Sequence, residues 1–523
     1  CSQIVSELKS GDLCVMGSDA YSDYRDELVP MEECERTRID YGEKVSLPIK
    51  SDAFIAHIRT LLTESAQQVD KTYHGNPYFT ITDGRPKLLR YEKKPIPHGF
   101  KELDEALKRK LNNLDISLLD VLADTEQWIG WSKHFNPLSG HKGKLQEEER
   151  RKILTVFAYG TGLGSTQIAK NMVDVSTRQV SFVNQRQITT EKLEAAICST
   201  INAYNQFKLP HYWGESERAS ADGTQWNLYE NNLLSERHIR YGGYGGIAYY
   251  HISDTYIALF SHFIPCGVWE AVYILDGLTK NVSDIQPDTI HGDTQAQSAP
   301  VYGLAFLLGI KLMPRIRNWK DLKWFRPTNT QRYQHIDDLF TQDAIDWDLI
   351  SCHLLDMLQV AQSIRAGRIS PSTILRKLGT ASRKNKLYFA FRELGRVVRT
   401  VFLLEYISSN ELRHVIQAAQ NKSEGFNKFA KWAYFGSDTI ENNVRENQLK
   451  IIKYNHLIAN LLIFHNCYTI TKALKELEDE GMQLTPKLLS ALSPYKTHPN
   501  RFGMYELRTR KIDSINYDTD FNI

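Results

Sequence analysis

Apolar residues recur at helical spacing along most of the chain and give way to strand-like runs near its middle. Phe54, Ile55, Ile58, Leu61 and Leu62 fall three and four positions apart, which predicts one amphipathic helix among polar turns in residues 1 to about 95. Tyr78 to Thr82 reads as a short β-stretch ended by Asp83-Gly84. Residues 98–213 read as mostly helix. Within them, Ile153 to Phe157 run helically into Gly160-Thr161-Gly162-Leu163-Gly164. That run has no strand before it and no GK[ST] after it, so it is read as a glycine-rich helix end and not as a nucleotide loop. Ser165 to Lys170 followed by Val175 to Val180 resembles a helix-turn-helix, with Ser176 as the cap of the second helix and Arg178 as its DNA-contact candidate. The turn is about one residue longer than the strict pattern. Two packed helices without DNA contact are therefore the alternative.

From Arg218 to Leu312 the texture changes. Strand candidates run through Arg218–Asp222, Gly246–Ile252 and Tyr256–Ile264. A helix with Val268, Val272, Leu275 and Leu278 on one face is expected next. A fourth strand ends near Ile290 to Asp293, a helix covers Ser298 to Leu308, and a fifth strand holds Ile310 to Ile316. The order β-β-β-α-β-α-β is that of an RNase H-like fold. Residues 319–420 turn helical again, with Pro371 and Gly379 as breaks. Two further helices are expected in 423–476, and the tail from Pro494 is rich in turns.

Composition adds limits. At 523 residues the chain is too long for one core. Its 42% hydrophobic, 24% charged and 11% aromatic residues are ordinary for a folded protein. A net charge of +2 does not announce a nucleic-acid binder, but an acidic site and basic tracks cancel in such a sum. The seven cysteines are scattered without a CxxC pair. That argues against a zinc site or disulfide framework and fits a reducing cytoplasm. No apolar run approaches the roughly 20 residues of a membrane span, and no signal peptide is visible. The chain begins at Cys1 without a methionine, so a fragment of a longer protein is expected.

The candidate chemistry is acidic. Asp222 and Asp293 are placed at the ends of the first and fourth strands, which adjoin in this fold. Two bare carboxylates about 4 Å apart repel by roughly 4 kcal/mol at an effective dielectric near 20. Such a pair stays ionised only if cations hold it together, or else one member takes a proton; paired carboxylates at strand ends therefore suggest a hard cation, with magnesium as the candidate. Two magnesium ions, for which manganese can substitute, would activate a water or 3′-hydroxyl and stabilise a leaving oxygen. A third ligand is expected from a later helix. Ser423 is a candidate N-cap, Glu424 opens the helix, and Phe426, Phe429, Ala430 and Ala433 form its inward stripe. Lys428 and Lys431 follow Glu424 above the same face, in reach of backbone phosphates. Rival acids are Asp288 and Asp254, while Glu270 and Asp276 read as capping or network groups.

The wording around these acids resembles that of the Tn-three family of replicative DNA transposases. Trp213-Gly214 with Ala219-Ser220-Ala221-Asp222-Gly223-Thr224-Gln225 is similar to the family's WG…SSDGQ segment around its first catalytic Asp. Glu270 to Leu278 resembles EAxYxLDGL, and His291-Gly292-Asp293-Thr294-Gln295-Ala296-Gln297-Ser298 resembles HTDTHGYT with the second Asp. Gly303 to Gly309 with Pro314-Arg315, Asn421-Lys422-Ser423-Glu424 (family NKGE) and Leu492-Ser493-Pro494 extend the match. Weaker likeness runs upstream through Gly17-Ser18 and Tyr24 to Trp131 and Phe135. Two departures stand out: Ser423 replaces the glycine of NKGE, and Gln295 replaces a histidine. The resemblance implies catalytic and metal-binding roles for Asp222, Asp293 and Glu424. It also implies nicking at the 3′ ends of terminal inverted repeats, then attack on target DNA to give a cointegrate. Members carry further DNA-binding domains N-terminal to this region and act as dimers on paired ends.

Basic tracks fit double-stranded DNA, from transposon ends and from target. Arg315, Arg317, Lys320, Lys323 and Arg326 cluster after the fifth strand. Arg383, Lys384 and Lys386 precede a helix bearing Arg392, Arg396 and Arg399. Each group can line a DNA channel through phosphate contacts; a solvated helix face is the plainer alternative. The expected layout is a mixed α/β linker region (1–97) and a helical DNA-contacting or scaffold domain (98–213). The first part of an RNase H-like core (214–318), a helical insertion (319–420), the catalytic-Glu helix of the core (421–438) and a helical C-terminal domain (439–523) follow. The expectation is an α/β RNase H-like core flanked by mostly α-helical domains, acting as a bacterial, cytoplasmic, nucleoid-associated transposase. A catalytically silent end-binding relative and a nuclease that cuts without joining are the alternatives.

Overall fold

The computed structural model describes residues 2–10, 13–16, 23–89, 95–141, 146–228, 236–237, 244–266, 270–317, 319, 322–379, 386–503, 505–507 and 512–522. Lys320, Arg383, Lys384 and the Gly17-Ser18 segment lie outside them.

Among the described residues, three α-helices open the chain where one was expected: α1 (Ser2–Ser10), α2 (Met31–Val45) and α3 (Ser51–Thr72). The third buries Phe54, Ile58, Leu62, Ala66 and Val69, one stripe of a 3.6-residue period. Strands β1 (Phe79–Thr82) and β2 (Arg85–Leu88) form a hairpin whose turn residues, Asp83 and Gly84, have φ of 51° and 68°, as a tight two-residue turn demands. Six helices follow: α4 (Phe100–Asn112), α5 (Leu118–Ile129), α6 (Glu148–Gly160), α7 (Gly164–Asn171), α8 (Thr177–Arg186) and α9 (Thr190–Tyr204). α6 stops at Gly160, and Gly162 and Gly164 take φ of 79° and 73°, so the glycine run is a helix end. Ser176 and Gln179 close a reciprocal capping box at the start of α8, at the expected cap.

Strands β3 (Arg218–Leu228), β4 (Glu236–Arg237), β5 (Tyr244–Ser253) and β6 (Ala258–Pro265) are antiparallel, with β5 between β3 and β6. Val268 lies outside the described residues, and from Glu270 to Leu278 the expected crossover helix is not continuous. A 3-10 turn, Glu270–Tyr273, leads to the single-turn α10 (Asp276–Lys280). Ala271 to Leu275 are all buried, so the segment is packed on every side and has no solvent face to keep in phase. Strand β7 (Thr289–His291), α11 (Ala299–Leu307) and β8 (Lys311–Leu312) follow. β7 and β8 are parallel, and bonds from Met313 N to Ile290 O and from Arg315 N to Gly292 O prolong the ladder.

The block expected to be helical holds two parallel strands, β9 (Trp324–Arg326) and β10 (Phe340–Ala344). Arg326 is 1% exposed and reaches Asp337 through two bonds of 2.5 and 3.1 Å. It is a buried strut of this turn and not part of a surface cluster. Helices α12 (Trp347–Cys352), α13 (Leu354–Arg365), α14 (Pro371–Gly379), α15 (Lys386–Ser408) and α16 (Asn410–Ala433) come next. Strand β11 (Thr439–Ile440), parallel to β3, α17 (Arg445–Asp479) and α18 (Pro486–Ser490) complete the order.

The chain forms two compact units: Cys1–Lys93, Trp269–Lys280 and Asp288–Gln420 in one, Lys94–Val268, Asn281–Pro287 and Asn421–Ile523 in the other. In the first, α11 lies directly on α15. A Cβ added to Gly395 would stand 1.6 Å from Ala299 O, and one on Gly303 would stand 2.4 Å from Phe391 O. The second is built around α17, 35 residues long and buried on all sides through its middle. Its polar side chains bind the backbones of its neighbours. His456 contacts Ser261 Oγ and Ala258 O, each at 2.9 Å, and Asn460 reaches Ala258 N and O. Asn455 donates to Gly160 O at the end of α6 and Ala430 O in α16. No helix among the described residues is long and apolar enough to cross a membrane.

Candidate active site

The second unit sets Asp222 on β3 beside α16. β3 has 11 residues, and Asp222 lies near its middle, opposite Tyr250 of β5, not at its end as expected. The helix also differs from expectation. Ser423 does not open it, because α16 starts at Asn410. Upstream, Leu412, Ile416 and Ala419 are buried and continue the stripe of Phe426, Phe429, Ala430 and Ala433. The apolar period therefore carries the helix through Ser423. That serine is 1% exposed, and its Oγ meets Ser220 Oγ and lies 3.3 Å from Ser220 O. A mid-helix serine is tolerated when its hydroxyl finds a partner.

One turn on, Asn427 Nδ2 donates to Asp222 Oδ2 at 3.0 Å. Tyr250 packs edge-on against Phe426 at 5.0 Å. Ser220 and Asp222 on the strand thus meet Ser423 and Asn427 on the helix. Glu424 precedes Asn427 by three residues, so the two share a helix face. Asp222 is half-buried and Glu424 exposed. Asn427 is 8% exposed, yet its Oδ1 has no hydrogen-bond partner. Lys422 is fixed in the opposite sense. Its Nζ donates to Trp213 O at 2.8 Å and Asp254 O at 2.5 Å, with the Tyr256 ring at 4.6 Å. Burial pulls its pKa down to about 8.

The rival acids have structural partners. Asp254 accepts from the backbone of Glu215 and Ser216 at 3.2 and 3.0 Å, and burial raises its pKa. Asp276, 1% exposed, accepts from Ser372 N and Oγ at 2.8 and 2.7 Å, the network role expected of it. Asp288 pairs with Lys311 at 3.1 Å on the surface.

Asp293 belongs to the first unit, just beyond β7. It leads into a 3-10 turn, Thr294–Gln297, and its carbonyl accepts from Ala296 N. This turn is braced from two sides: Gln297 Nε2 donates to Arg315 O, and Arg399 Nη1 to Gln297 O, at 3.1 and 3.0 Å. Arg399 is thereby a support of the Asp293 loop and not a surface cation; burial lowers its pKa. Among the described residues, no three His, Cys, Asp or Glu side chains are gathered so as to hold a metal by themselves.

Arg178 is exposed in the first turn of α8 in the second unit. Lys428 and Lys431 are exposed on α16, on the side of Glu424. In the first unit, Arg317, Lys323 and Lys386 are exposed and Arg315 is half-buried. Arg392 and Arg396 both reach Glu393, at 3.4 and 2.6 Å, and stack on Phe389 and Phe325. Asn427 escaped the reading of the sequence. Its place three residues after Glu424 was the available signal.

The profile of the Tn3 transposase DDE domain family matches residues 120–505. The chain is 26% identical over 517 residues to the transposase for transposon Tn1546 of Enterococcus faecium, covering 98% of this chain and 52% of that protein. It is 28% identical over 518 residues to the transposase for transposon Tn501 of Pseudomonas aeruginosa (97% and 51%). Against the transposase for transposon gamma-delta of Escherichia coli (strain K12) it is 25% identical over 513 residues (95% and 50%). The chain spans about half the length of the curated relatives it matches.

Proposed function

The chain belongs to the Tn3 transposase family, matched through its DDE domain, and from that premise we propose that it is the catalytic portion of a metal-dependent DNA strand transferase. Its substrates in this reading are transposon ends with terminal inverted repeats. It nicks their 3′ ends and joins the 3′-hydroxyls to target DNA in a replicative, cointegrate-forming transposition. A DDE domain implies an RNase H-like fold, which we assign to 214–318 with 421–438. We assign 319–420 as an insertion, and 1–97, 98–213 and 439–523 as flanking regions.

The observation that supports the reading is the bond from Asn427 to Asp222, with Glu424 three residues before Asn427 on the same helix. Asp222, Asp293 and Glu424 are the proposed catalytic acids. The donor set fits magnesium: hard carboxylate oxygens beside an unpartnered amide oxygen, Asn427 Oδ1. Magnesium is commonly held by one or two carboxylates together with substrate phosphates, so a closed cage of protein ligands is not required. Two such ions would supply the positive charge that activates a 3′-hydroxyl or water and steadies the leaving oxygen. The chain's own residues orient and hold. Asn427 fixes the Asp222 carboxylate. Ser423 and Lys422 fix the helix against β3 and the loop before it. Lys428 and Lys431 offer charge to the DNA backbone. Arg178, Arg315, Arg317, Lys320, Lys323, Lys384, Lys386, Arg392 and Arg396 are the further proposed DNA contacts, in a homodimer working on paired ends.

The test is a labelled duplex carrying the terminal inverted repeat, incubated with supercoiled target DNA and magnesium or manganese. Joined product is expected. Nicking without joining would make the chain a nuclease, and binding without cleavage a silent relative.

A further inference from the structure

The segment with helix-turn-helix spacing forms α7 and α8, which pack on each other and on α6. Ile168 of α7 and Val180 and Val183 of α8 are buried. The other side of α8 is open. Arg178, Phe182 and Gln185, spaced by four and three residues, form one exposed stripe. Phe182 is 47% exposed. Among the described residues, none of the three side chains forms a hydrogen bond, ion pair or ring contact.

The C-terminal end of α8 is held by three other parts of the same unit. The last carbonyls of a helix have no partner within it. Here Asn184 O accepts from Lys450 Nζ of α17 at 2.5 Å, and Asn184 Oδ1 accepts from Tyr454 OH at 2.9 Å. Arg186 O accepts from Leu138 N, and Gln187 O from Lys192 Nζ of α9 at 3.1 Å. The same stretch of α17 also holds α16. Asn455, next to Tyr454, donates to Ala430 O, beyond Glu424 on that helix. All of these residues lie in the unit that holds Asp222 and Glu424. The mount therefore keeps the bare face of α8 at a constant distance from those two acids.

The chemistry of the stripe points to duplex DNA. Between Gly164 and Arg186 the cations Lys170, Arg178 and Arg186 stand against the single acid Asp174, a balance that favours a phosphate backbone. In the major groove arginine pairs with both acceptors of guanine, glutamine pairs with adenine, and phenylalanine packs on the thymine methyl. An exposed ring between an arginine and a glutamine gains apolar cover from that methyl group. A helix about 10–12 Å across fits a groove about 12 Å wide. Arg178 lies in the first turn of α8, the part of a recognition helix that reaches base edges. α8 and α16 each bond to α17, so at roughly 8–10 Å per helix pair their axes stand on the order of 20 Å apart. That is about six base pairs at about 3.4 Å each, within about one duplex turn of the reacting phosphodiester.

We infer that α8 reads base pairs of the transposon end beside the nick, in the major groove, through Arg178, Phe182 and Gln185. The inference rests on the proposed transposase reading and adds sequence recognition by the catalytic portion itself.

The experiment uses the full chain and terminal-repeat duplexes, with binding followed by fluorescence anisotropy in calcium buffer. Each base pair within one turn of the nicking position, on either side, is changed in turn to its transversion. The native chain should lose about tenfold in affinity at two or three neighbouring pairs, and Arg178→Ala should lose as much on the unchanged repeat. Arg178→Ala should then be indifferent to one of those pairs. At that guanine, 7-deazaguanine, which lacks the N7 acceptor, should reproduce the loss in the native chain alone. Phe182→Ala and Gln185→Ala should each release a different pair, with unchanged melting temperatures as the check on folding. Variants that lose affinity equally on every duplex would reduce α8 to a phosphate contact. Variants that bind as the native chain does would make it a solvated face. Either result overturns the reading helix while nicking persists. Failure to bind terminal-repeat DNA in any form would overturn the transposase reading, and this inference with it.

Discussion

At the scale of single residues, the strand acid and the amide that holds it separate two kinds of loss. Asp222→Asn should lower nicking and joining by about 10³-fold or more, about 4 kcal/mol of barrier, with end binding unchanged in a gel-shift assay. Asn427→Ala should act through the metal. With Asp222 Oδ2 deprived of its donor, the magnesium concentration for half-maximal nicking should rise about tenfold, as expected for loss of a group that orients a ligand. A variant needing no more magnesium than the native chain would remove Asn427 from the site. Asp222 and Glu424 could be proposed from the sequence because short motifs surround them. The contacts of Asn427 and Ser220 could not, because they depend on which strand a helix touches.

At the scale of elements, two devices hold the helices that support the acids. The contact of α11 with α15 needs bare backbone at Gly395. Gly395→Ala should cost about 3 kcal/mol of stability, measured by urea unfolding, because neither backbone can give way. α17 depends on neutral histidine. Burial lowers His456 to about 3, far below its ordinary value, so below pH 6.5 the unfolded chain takes up a proton that the folded chain refuses. Stability is therefore full above pH 6.5 and falls as the pH drops towards 3, by up to about 1.4 kcal/mol per pH unit from this residue. His456→Gln should unfold with a correspondingly shallower acid dependence; an unchanged slope would count against the assignment. The apolar runs of β5 and β6, buried along almost their whole length, and the stripes of α3 and α16 were readable in the sequence. The start of α16 was not, since a serine that caps one helix can lie within another once its hydroxyl has a buried partner.

At the scale of the whole molecule, the cations fall into two groups. Exposed Arg317 and Lys428 should each contribute about 0.9 to the slope of log affinity against log salt for terminal-repeat DNA, so alanine at either should flatten it by that amount. Arg326→Met should instead destabilise the fold by about 2 kcal/mol, since it removes the charge-assisted bonds of buried Arg326 to Asp337, whose own side chain stays partly solvated. A thermal melt separates the two outcomes. The sequence by itself determined the strand-rich middle, the apolar stripes and the wording around three acids, because periodicity and local motifs are written within a few turns of chain. Only the tertiary structure decided which arginines are struts, which serine joins strand to helix, and that Asp222 rests on Asn427. Those facts arise where residues between 11 and 205 positions apart come within hydrogen-bonding distance, and no helical or strand period records such a meeting.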